Sequence, residues 1–395
     1  MSHIVEFTIS GLAGRKGNYS RKLNEDVNIF FGLNGSGKTS LLKILHSAMS
    51  GDTDILRNVP FKHAEVKLCS TRLEKDIIHT CKINQVVSNS LGDKEPSLSQ
   101  ILFYPDDLPV SLKRELILSR QHDRETHWDI SPKKPKFKGL RHTYLLVSRP
   151  YLIKRPERLP LSEEQLDLLF ARNLQDLWKN YSTGMLSNIR KVQEDGLANI
   201  LKTILSATDS GDIEPSINES VDVETAYNQM NTFLRRQKAI SEILGSREDF
   251  IQRYEKDTRL QKIVSDINTI EKEIEQAMAP RQNLQKLVQK MFSHKQIEFT
   301  DSEILVKNED NDSLGLHLLS SGERQLMLIF LETFLAGDNP ILIDEPEMSM
   351  HIDWQTELVS AIRQLNPKAQ LILATHSPEI MAEVADDKVF RLNYE

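Results

Sequence analysis

The sequence is poor in cysteine and lacks both a long apolar run and an excess of positive charge. Its two cysteines, Cys69 and Cys81, cannot build a disulfide framework, which favours free thiols in a reducing compartment. The best apolar run, 326–336, is interrupted by Glu332 and is too short to cross a bilayer. The N-terminus lacks the basic and then apolar pattern of a secretion signal. We therefore expect a soluble, cytoplasmic protein without membrane contact.

The formal net charge of −7 argues against a protein that coats nucleic acid through its bulk charge. One segment, 133–158, departs from this balance, with nine Lys or Arg residues against a single acidic residue, Glu157. Its interleaved aromatic residues are Phe137, Tyr144 and Tyr151. Such a basic stripe can follow the backbone of DNA or RNA, but it can also be a solvated face with a core strand around Tyr144. Both interpretations stay open.

The most informative motif, Gly-Leu-Asn-Gly-Ser-Gly-Lys-Thr, occupies residues 32–39. An apolar run before it, 27–31, predicts a buried strand, and the residues after it, 40–45, predict the start of a helix. This is the context of a phosphate-binding loop, in which backbone N–H groups and a helix N-terminus hold phosphate oxygens. Lys38 would reach the β- and γ-phosphates of ATP, and the Thr39 hydroxyl would bind Mg²⁺. The residues expected to hold the nucleotide are Asn34, Gly35, Ser36, Gly37, Lys38, Thr39 and Ser40.

The segments on either side of this loop predict antiparallel strands. Residues 3–10 alternate in polarity as a strand does. Two strand-like runs, 64–69 and 76–83, surround a polar turn and predict a hairpin. From 86 to 132 the periodicity fades, and we predict loops with one short helix near 110–119.

The polar connection at 11–24 lies just upstream of the phosphate loop in sequence. It carries Arg15, Lys16 and Tyr19. These side chains could contact the nucleotide, but the connection could equally be a solvated hairpin tip.

The middle of the chain, from 161 to 292, carries apolar residues at the three- and four-residue spacing of helices. A stretch at 207–221 without Lys or Arg predicts a linker. From Leu260 to Ile274 the spacing is that of heptads over about two heptads, which predicts a short coiled-coil-like hairpin. We expect Pro280 to end that helix. The predicted helices are 161–180, 184–207, 223–244, 247–279 and 281–292.

The last quarter holds three further motifs. Two strands are predicted at 296–300 and 303–307, with a polar turn at 308–313 and a final strand at 388–392. The sequence Leu-Ser-Ser-Gly-Glu then precedes an apolar helix, one apolar strand ends in Asp-Glu-Pro-Glu, and another ends in Thr-His-Ser-Pro. The carboxyl ends of strands are where open α/β sheets place their ligand-binding groups. The polar residues concerned are Ser320, Gly322, Asp344, Glu345 and His376.

The chain thus carries, in order, a phosphate loop, the Leu-Ser-Ser-Gly-Glu signature, a strand that ends in acidic residues and a strand that ends in a histidine. In this order of motifs it resembles the ABC-type ATPases. The separation of 282 positions between Lys38 and Ser320, together with the Asp-Glu-Pro-Glu and Thr-His-Ser-Pro segments, resembles the RecF/SMC/OLD branch. Members of that branch act in DNA repair and in bacterial defence against phage. The resemblance implies an α/β fold, an ABC-type P-loop NTPase with a mixed sheet, an antiparallel subdomain and a mostly helical insertion. It places the ATPase domain in 1–150 and 296–395 and the insertion in 151–295.

The resemblance also implies roles for single residues. Asp344 would hold Mg²⁺ together with Thr39, and Glu345 would polarise the attacking water. His376 would contact the γ-phosphate or that water. Ser320 and the backbone N–H of Gly322 would bind the γ-phosphate on a second subunit, so that ATP lies between the two chains of a homodimer.

The chain departs from the family pattern in two places. The family's glutamine at the end of the strand that enters the insertion is missing, because the strand expected at 142–147 is followed by Ser148 and Arg149. Either Arg149 takes the place of that glutamine or the strand lies elsewhere. Only 19 residues follow His376, which leaves no room for the Toprim nuclease of OLD proteins.

The leading hypothesis is an ATP-hydrolysing switch that controls a separate effector, a nuclease or a toxin, in a bacterial anti-phage system. A second hypothesis is a DNA-repair or chromosome-maintenance ATPase that clamps DNA through the basic stripe. A third is the ATPase subunit of a transporter, which the long insertion and the missing glutamine disfavour.

Overall fold

The structure, a computed structural model, describes residues 2–72, 75–84, 128–131, 139–146, 162–205, 223–236, 246–292 and 294–392. The strands are β1 (Ser2–Ser10), β2 (Asn18–Lys22), β3 (Val27–Phe31), β4 (His63–Arg72), β5 (Lys75–Asn84), β6 (Asp129–Ser131), β7 (Thr143–Leu146), β8 (Gln296–Phe299), β9 (Ile304–Lys307), β10 (Ser313–Leu314), β11 (Ile341–Asp344), β12 (Leu371–Thr375) and β13 (Val389–Arg391). The helices are α1 (Lys38–Ser50), α2 (Glu163–Leu205), α3 (Val223–Arg236), α4 (Arg247–Tyr254), α5 (Thr258–Met291), α6 (Ser321–Leu335), α7 (Ile352–Leu365) and α8 (Pro378–Met381).

A parallel sheet in the order β13-β3-β12-β11-β7 forms the centre of the fold. Its inner strands β11 and β12 are buried along their whole length, as expected of parallel strands covered on both faces. The pairing sets Phe31 opposite Thr375 and Asp344 opposite Ala374. The polar groups that follow β3, β11 and β12 therefore meet at one edge of the sheet.

An antiparallel sheet in the order β2-β1-β4-β5-β6 packs on the same core. Apolar residues of β1 and β4, such as Phe7 and Val66, share this core with Leu342 of β11 and Leu45 of α1. The predicted hairpin is present as β4 and β5, which pair along their full length. The predicted α/β fold with a mixed arrangement of parallel and antiparallel strands is confirmed.

Gln370, a buried amide side chain, holds the start of β1 against the parallel sheet. Its Oε1 accepts from the N–H of Ile4 at 2.8 Å, and its Nε2 donates to the Ile4 carbonyl at 2.9 Å. The same Nε2 donates to the carbonyl of Asn24 at 2.7 Å. The N–H and carbonyl of Ile4, which β2 does not reach, are thus satisfied by a single residue that immediately precedes β12.

The chain divides into two compact units. The first comprises residues 1–174, 287–296 and 307–395, and the second comprises residues 175–286 and 297–306. The second unit has its own apolar core, built by helices α2 to α5. In that unit Trp178 is fully buried, and its Nε1 donates to the carbonyl of Thr300 at 2.8 Å. The domain boundaries expected from the sequence stay a prediction.

Pro280 lies inside α5, so the prediction that it ends the helix is wrong. A proline inside a helix removes one hydrogen bond and costs roughly 3 kcal/mol. Contacts on both sides offset this cost. Ile267 and Ile270 are buried in the apolar core, and Arg281 binds the carbonyl of Phe299.

Other helix boundaries also differ from the prediction. The two helices expected at 161–180 and 184–207 are one continuous helix, α2. The single helix expected at 247–279 is divided into α4 and α5, because Asp257 accepts hydrogen bonds from the first N–H groups of α5. In each case the helix boundary is set by tertiary packing or by a capping residue, because apolar spacing alone does not fix where a helix ends.

Several sequence predictions lie outside the described residues. These are the short helix at 110–119, the linker at 207–221, Arg149, and all of the stripe 133–158 except 139–146. Within 139–146, Tyr144 belongs to β7 and its ring stacks on His46 with 4.6 Å between centroids. This aromatic residue of the basic stripe is therefore packed against α1.

No helix in the described parts of the chain is both long enough and apolar enough to cross a membrane.

A histidine pair joins α1 to β7. Nδ1 of His46 lies 2.6 Å from Nε2 of His142, whose Nδ1 lies 2.8 Å from the carbonyl oxygen of Leu140. This chain of bonds is satisfied when both rings are neutral, with each Nδ1–H donating. Burial lowers the pKa of His46 to about 4 and also lowers the pKa of His142.

Acidification should therefore destabilise the first unit. Above pH 6.5 neither the folded nor the unfolded chain protonates His46, but between pH 6.5 and about 4 only the unfolded chain does. The free energy of unfolding should fall by up to about 3 kcal/mol over that interval for this one residue. Urea unfolding at a series of pH values measures the slope.

His46→Gln keeps an N–H donor for His142 and should flatten this pH dependence. His294→Gln is the matched control, because the His294 side chain is 85% exposed. If both variants keep the slope of the parent protein, the histidine pair does not set the acid sensitivity.

Candidate active site

The phosphate loop connects β3 to α1 with two glycines in left-handed backbone conformation. Gly35 has φ +79° and Gly37 has φ +95°, which L side chains rarely adopt. A Cβ on Gly37 would lie 3.0 Å from Cβ of Ala13, so space also favours glycine there. No side chain caps α1, and its first N–H groups are left to bind an anion.

Lys38 is held inside the curve of this loop. Only 3% of the residue is exposed, and its Nζ donates to the carbonyls of Gly32 at 2.7 Å and Leu33 at 3.1 Å. The N–H of Gly32 in turn donates to the carbonyl of Thr375, which ties the loop to β12. The hydroxyl of Ser36 is buried and has no hydrogen-bond partner among the described residues. The loop thus presents a cation, N–H groups and a spare hydroxyl in one place.

Asp344, the last residue of β11, lies against the start of α1. The side chain of Thr39 forms a hydrogen bond with its carboxyl group. Burial raises the pKa of Asp344 to about 6, although Thr39, Lys43 and Lys38 oppose the shift. Its Oδ1 is buried without a hydrogen-bond partner in the described chain. A carboxylate with a spare oxygen beside a threonine hydroxyl is a donor set that fits Mg²⁺.

Glu345 begins a sharp turn directly after Asp344. Its φ of +52° is left-handed, which is unusual for a residue other than glycine and costs of order 1 kcal/mol or more. Its N–H donates to the carbonyl of Ala374 at 2.8 Å, so the turn is fixed to β12. The strain is of the kind that clusters at functional sites.

His376 follows β12 at the same edge of the sheet, with 43% of its side chain exposed. Its Nδ1 lies 2.8 Å from Oε1 of Glu347, a residue that is 6% exposed. Neither Glu347 nor Thr375, which also binds its Oε1, is among the residues predicted for the site. The only signal for Glu347 was its place as the fourth residue of Asp-Glu-Pro-Glu.

The signature residues form the start of α6. Ser320 caps this helix by accepting from the N–H of Glu323 at 3.3 Å, and Glu323 Oε2 accepts from the N–H of Ser320 at 2.7 Å. Gly322 packs directly on the carbonyl oxygen of Ser349, which itself has a left-handed φ of +59°. Within the described chain, neither Ser320 nor Gly322 forms a hydrogen bond with the phosphate loop. One chain therefore brings together Lys38, Thr39, Asp344, Glu345 and His376 at the carboxyl ends of β3, β11 and β12.

The three upstream residues have different places. Arg15 donates from Nη2 to the carbonyl of Gly35 at 2.9 Å and so contacts the phosphate loop. Lys16 is exposed. Tyr19 packs its ring against Phe7 and the Arg21 guanidinium. Of the three, Arg15 is the one that reaches the loop in this structure.

A phosphate loop on β3, an acidic residue at the end of β11 and a histidine at the end of the intervening strand β12 define a P-loop nucleotide hydrolase of ABC type. Residues 18–381 match the family model described as AAA ATPase domain. The chain belongs to this family and is an ATPase. The predicted resemblance to ABC-type ATPases of the RecF/SMC/OLD branch is confirmed.

Several named relatives are similar in sequence. The chain is 22% identical over 415 residues to "Retron Vc95 probable ATPase" of Vibrio cholerae serotype O1 biovar El Tor, which covers 93% of this chain and 69% of that protein. It is 38% identical over 52 residues to "Septu protein PtuA" of Bacillus thuringiensis, covering 13% of each chain. It is 24% identical over 101 residues to "Retron Ec83 probable ATPase" of Escherichia coli, covering 22% of this chain and 19% of that protein.

Solved structures of SMC head domains are also similar. The Smc head domain from Pyrococcus furiosus, bound to the C-terminal domain of ScpA, matches with a TM-score of 0.41 and 15% identity over 97% of this chain and 92% of that chain. The SMC head domain from Thermotoga maritima matches with a TM-score of 0.40 and 11% identity over 97% and 92%.

Gly322→Ala should destabilise the first unit by roughly 1–3 kcal/mol, the usual cost of forcing extra atoms into a packed site. The new Cβ would clash with the carbonyl oxygen of Ser349, whose backbone is already left-handed. Urea unfolding measures the effect. Gly184→Ala is the matched control, since Gly184 is also helical but a methyl group added there would have nothing within 4 Å.

At Gly184 an alanine should instead stabilise the helix by about 0.5–1 kcal/mol. Equal shifts for the two variants would show that the packing of Gly322 on Ser349 carries no special constraint.

Proposed function

We propose that the protein is an ATP-driven switch that dimerises around ATP and controls a separate effector, a nuclease or a toxin, in bacterial defence against phage. The observation that carries the proposal is the convergence of Lys38, Thr39, Asp344, Glu345 and His376 at one edge of the parallel sheet. Within the described residues, Ser320 and Gly322 form no hydrogen bond with the phosphate loop, which favours a site shared between two copies.

The nucleotide would be held by the loop from Asn34 to Ser40, with backbone N–H groups and Lys38 on the phosphates. Thr39 and Asp344 would hold Mg²⁺, which neutralises charge on the phosphate oxygens when it is bound. Glu345 would orient and polarise the attacking water, and His376 would contact the γ-phosphate or that water. Phosphoryl transfer needs mainly such positioning and charge stabilisation.

The surface around the site supports dimerisation. Four apolar side chains lie exposed in the segments that carry the motifs: Leu33 (73%), Leu318 (58%), Met348 (39%) and Ile352 (52%). Exposed apolar residues beside a polar site favour burial against another surface. A second copy would cover them and would bring its own Ser320 and Gly322 to the γ-phosphate.

A defence role is supported by the relatives, which are named as two retron ATPases and a Septu protein. The rival role, a DNA clamp in repair or chromosome maintenance, depends on the basic stripe 133–158. Of its three aromatic residues, Tyr144 is packed on His46 and does not offer an open ring for stacking.

Glu345→Gln should keep ATP binding, slow hydrolysis by roughly 10²-fold or more, and accumulate the dimer, because the carboxylate is removed while the phosphate loop stays intact. Lys38→Ala should lose ATP binding and stay monomeric. Phosphate release, nucleotide titration and light scattering with ATP measure these outcomes. Glu379→Gln, outside the site, is the control. Normal hydrolysis by Glu345→Gln would refute its assignment as the base.

The effector should remain bound to the ATP-trapped dimer. We expect a nuclease or toxin to co-purify with the Glu345→Gln form when it is expressed with its flanking genes and purified with ATP and Mg²⁺. The same partner should be lost with Lys38→Ala. Recovery of DNA without a protein partner would favour the repair role, and full phage protection by the chain alone would refute a separate effector.

A further inference from the structure

Glu347 forms an unusual cluster of hydrogen bonds beneath the histidine of the site. One oxygen, Oε1, accepts from the Thr375 hydroxyl at 2.7 Å and from the backbone N–H of His376 at 2.7 Å. The same atom lies 2.8 Å from Nδ1 of His376. Two hydrogen-bond donors and a ring nitrogen thus converge on one carboxylate oxygen. The other oxygen, Oε2, is buried and has no partner among the described residues.

This geometry decides the tautomer of His376. A carboxylate oxygen carries no hydrogen, and a bare Nδ1 at 2.8 Å would set its lone pair against those of Oε1, so Nδ1 of the imidazole must carry the hydrogen. In the neutral ring the free lone pair is then on Nε2. No hydrogen bond within the described chain involves that nitrogen, and the side chain is 43% exposed. Nε2 is therefore the atom left to interact with a ligand.

The cluster is also firmly placed. Glu347 lies in the turn that begins at the strained Glu345, and its carbonyl accepts from the N–H of Met350 at 3.0 Å. Ahead of it, the carbonyl of Pro346 accepts from the side chain of Gln325 on α6. Glu347 therefore lies in a turn that follows β11, is bonded to β12 through Glu345, and is bonded to α6 through Gln325.

We propose that Glu347 is a positioning residue for ATP hydrolysis, acting through His376. Its carboxylate fixes the ring orientation and the Nδ1–H tautomer, and it stabilises positive charge on the imidazole as Nε2 meets the γ-phosphate. A carboxylate behind a histidine has this effect in other sites, where it orients the ring and strengthens its basicity. The proposal rests on the proposed contact of His376 with the phosphate or the attacking water.

Glu347→Gln is the sharpest variant, because among the described residues only Oε1 of Glu347 accepts hydrogen bonds. The amide oxygen can still accept from Thr375 and His376, whereas the negative charge is lost. We expect kcat to fall roughly tenfold to a hundredfold, the usual cost of losing such a supporting partner, with the KM for ATP changed less than about threefold. Glu379→Gln is the control for loss of a carboxylate near His376 in the sequence. The carboxylate of Glu379 accepts from the Ser377 hydroxyl at 2.8 Å.

A double-mutant cycle separates this role from a merely structural one. If Glu347 acts through His376, then Glu347→Gln should change the activity of His376→Ala by less than roughly twofold. If the two losses multiply instead, the proposal is wrong. Unchanged hydrolysis by His376→Ala alone would refute the role of His376, which is a failure of the proposed site and is distinct from a failure of Glu347.

Nitrogen-15 NMR of the histidine ring gives an answer that does not depend on activity. The wild-type protein should show the Nδ1–H tautomer for His376 in the neutral form of the ring, and Glu347→Ala should shift it toward Nε2–H. Finding Nε2–H in the wild-type protein would overturn the proposal, even where a variant fails to fold or retains too little activity for the cycle.

Discussion

The site depends on the register of three parallel strands. Because β12 lies between β3 and β11, the phosphate loop, the acidic turn and the histidine all leave the sheet at the same edge. Backbone hydrogen bonds link them directly: the N–H of Gly32 donates to Thr375, and the N–H of Glu345 donates to Ala374. A slip of one residue would turn every side chain to the opposite face and would separate these groups.

Near this edge of the sheet, several residues have strained backbones or buried polar atoms without a partner in the described chain. Glu345 and Ser349 have left-handed backbones, and the carboxyls of Asp344 and Glu347 each keep one buried oxygen without a partner in the described chain. Elsewhere, the buried amide of Gln370 is fully used by the backbone. At the groups that would handle the phosphates, backbone strain and spare hydrogen-bonding capacity occur together.

Two ion pairs join the signature to α2 and to the residues that follow α5. Glu323 pairs with Lys295, which follows α5, at 2.6 Å, and Arg324 pairs with Asp167 of α2 at 2.5 Å. Both pairs are largely shielded, with side-chain exposures of 15–29%. Two adjacent signature residues therefore contact α2 and the segment that follows α5.

The class of protein and most of the candidate site could be predicted from the sequence. The phosphate loop, Asp344, Glu345 and His376 are recognisable because each follows an apolar strand, and short-range patterns of that kind survive in any packing. The other features depend on contacts between residues that are far apart in the sequence. Pro280 stays inside α5 because contacts distant in sequence offset its cost, and α2 is continuous for the same kind of reason. Glu347 meets His376 across 29 residues of sequence, through strand register that no local pattern encodes.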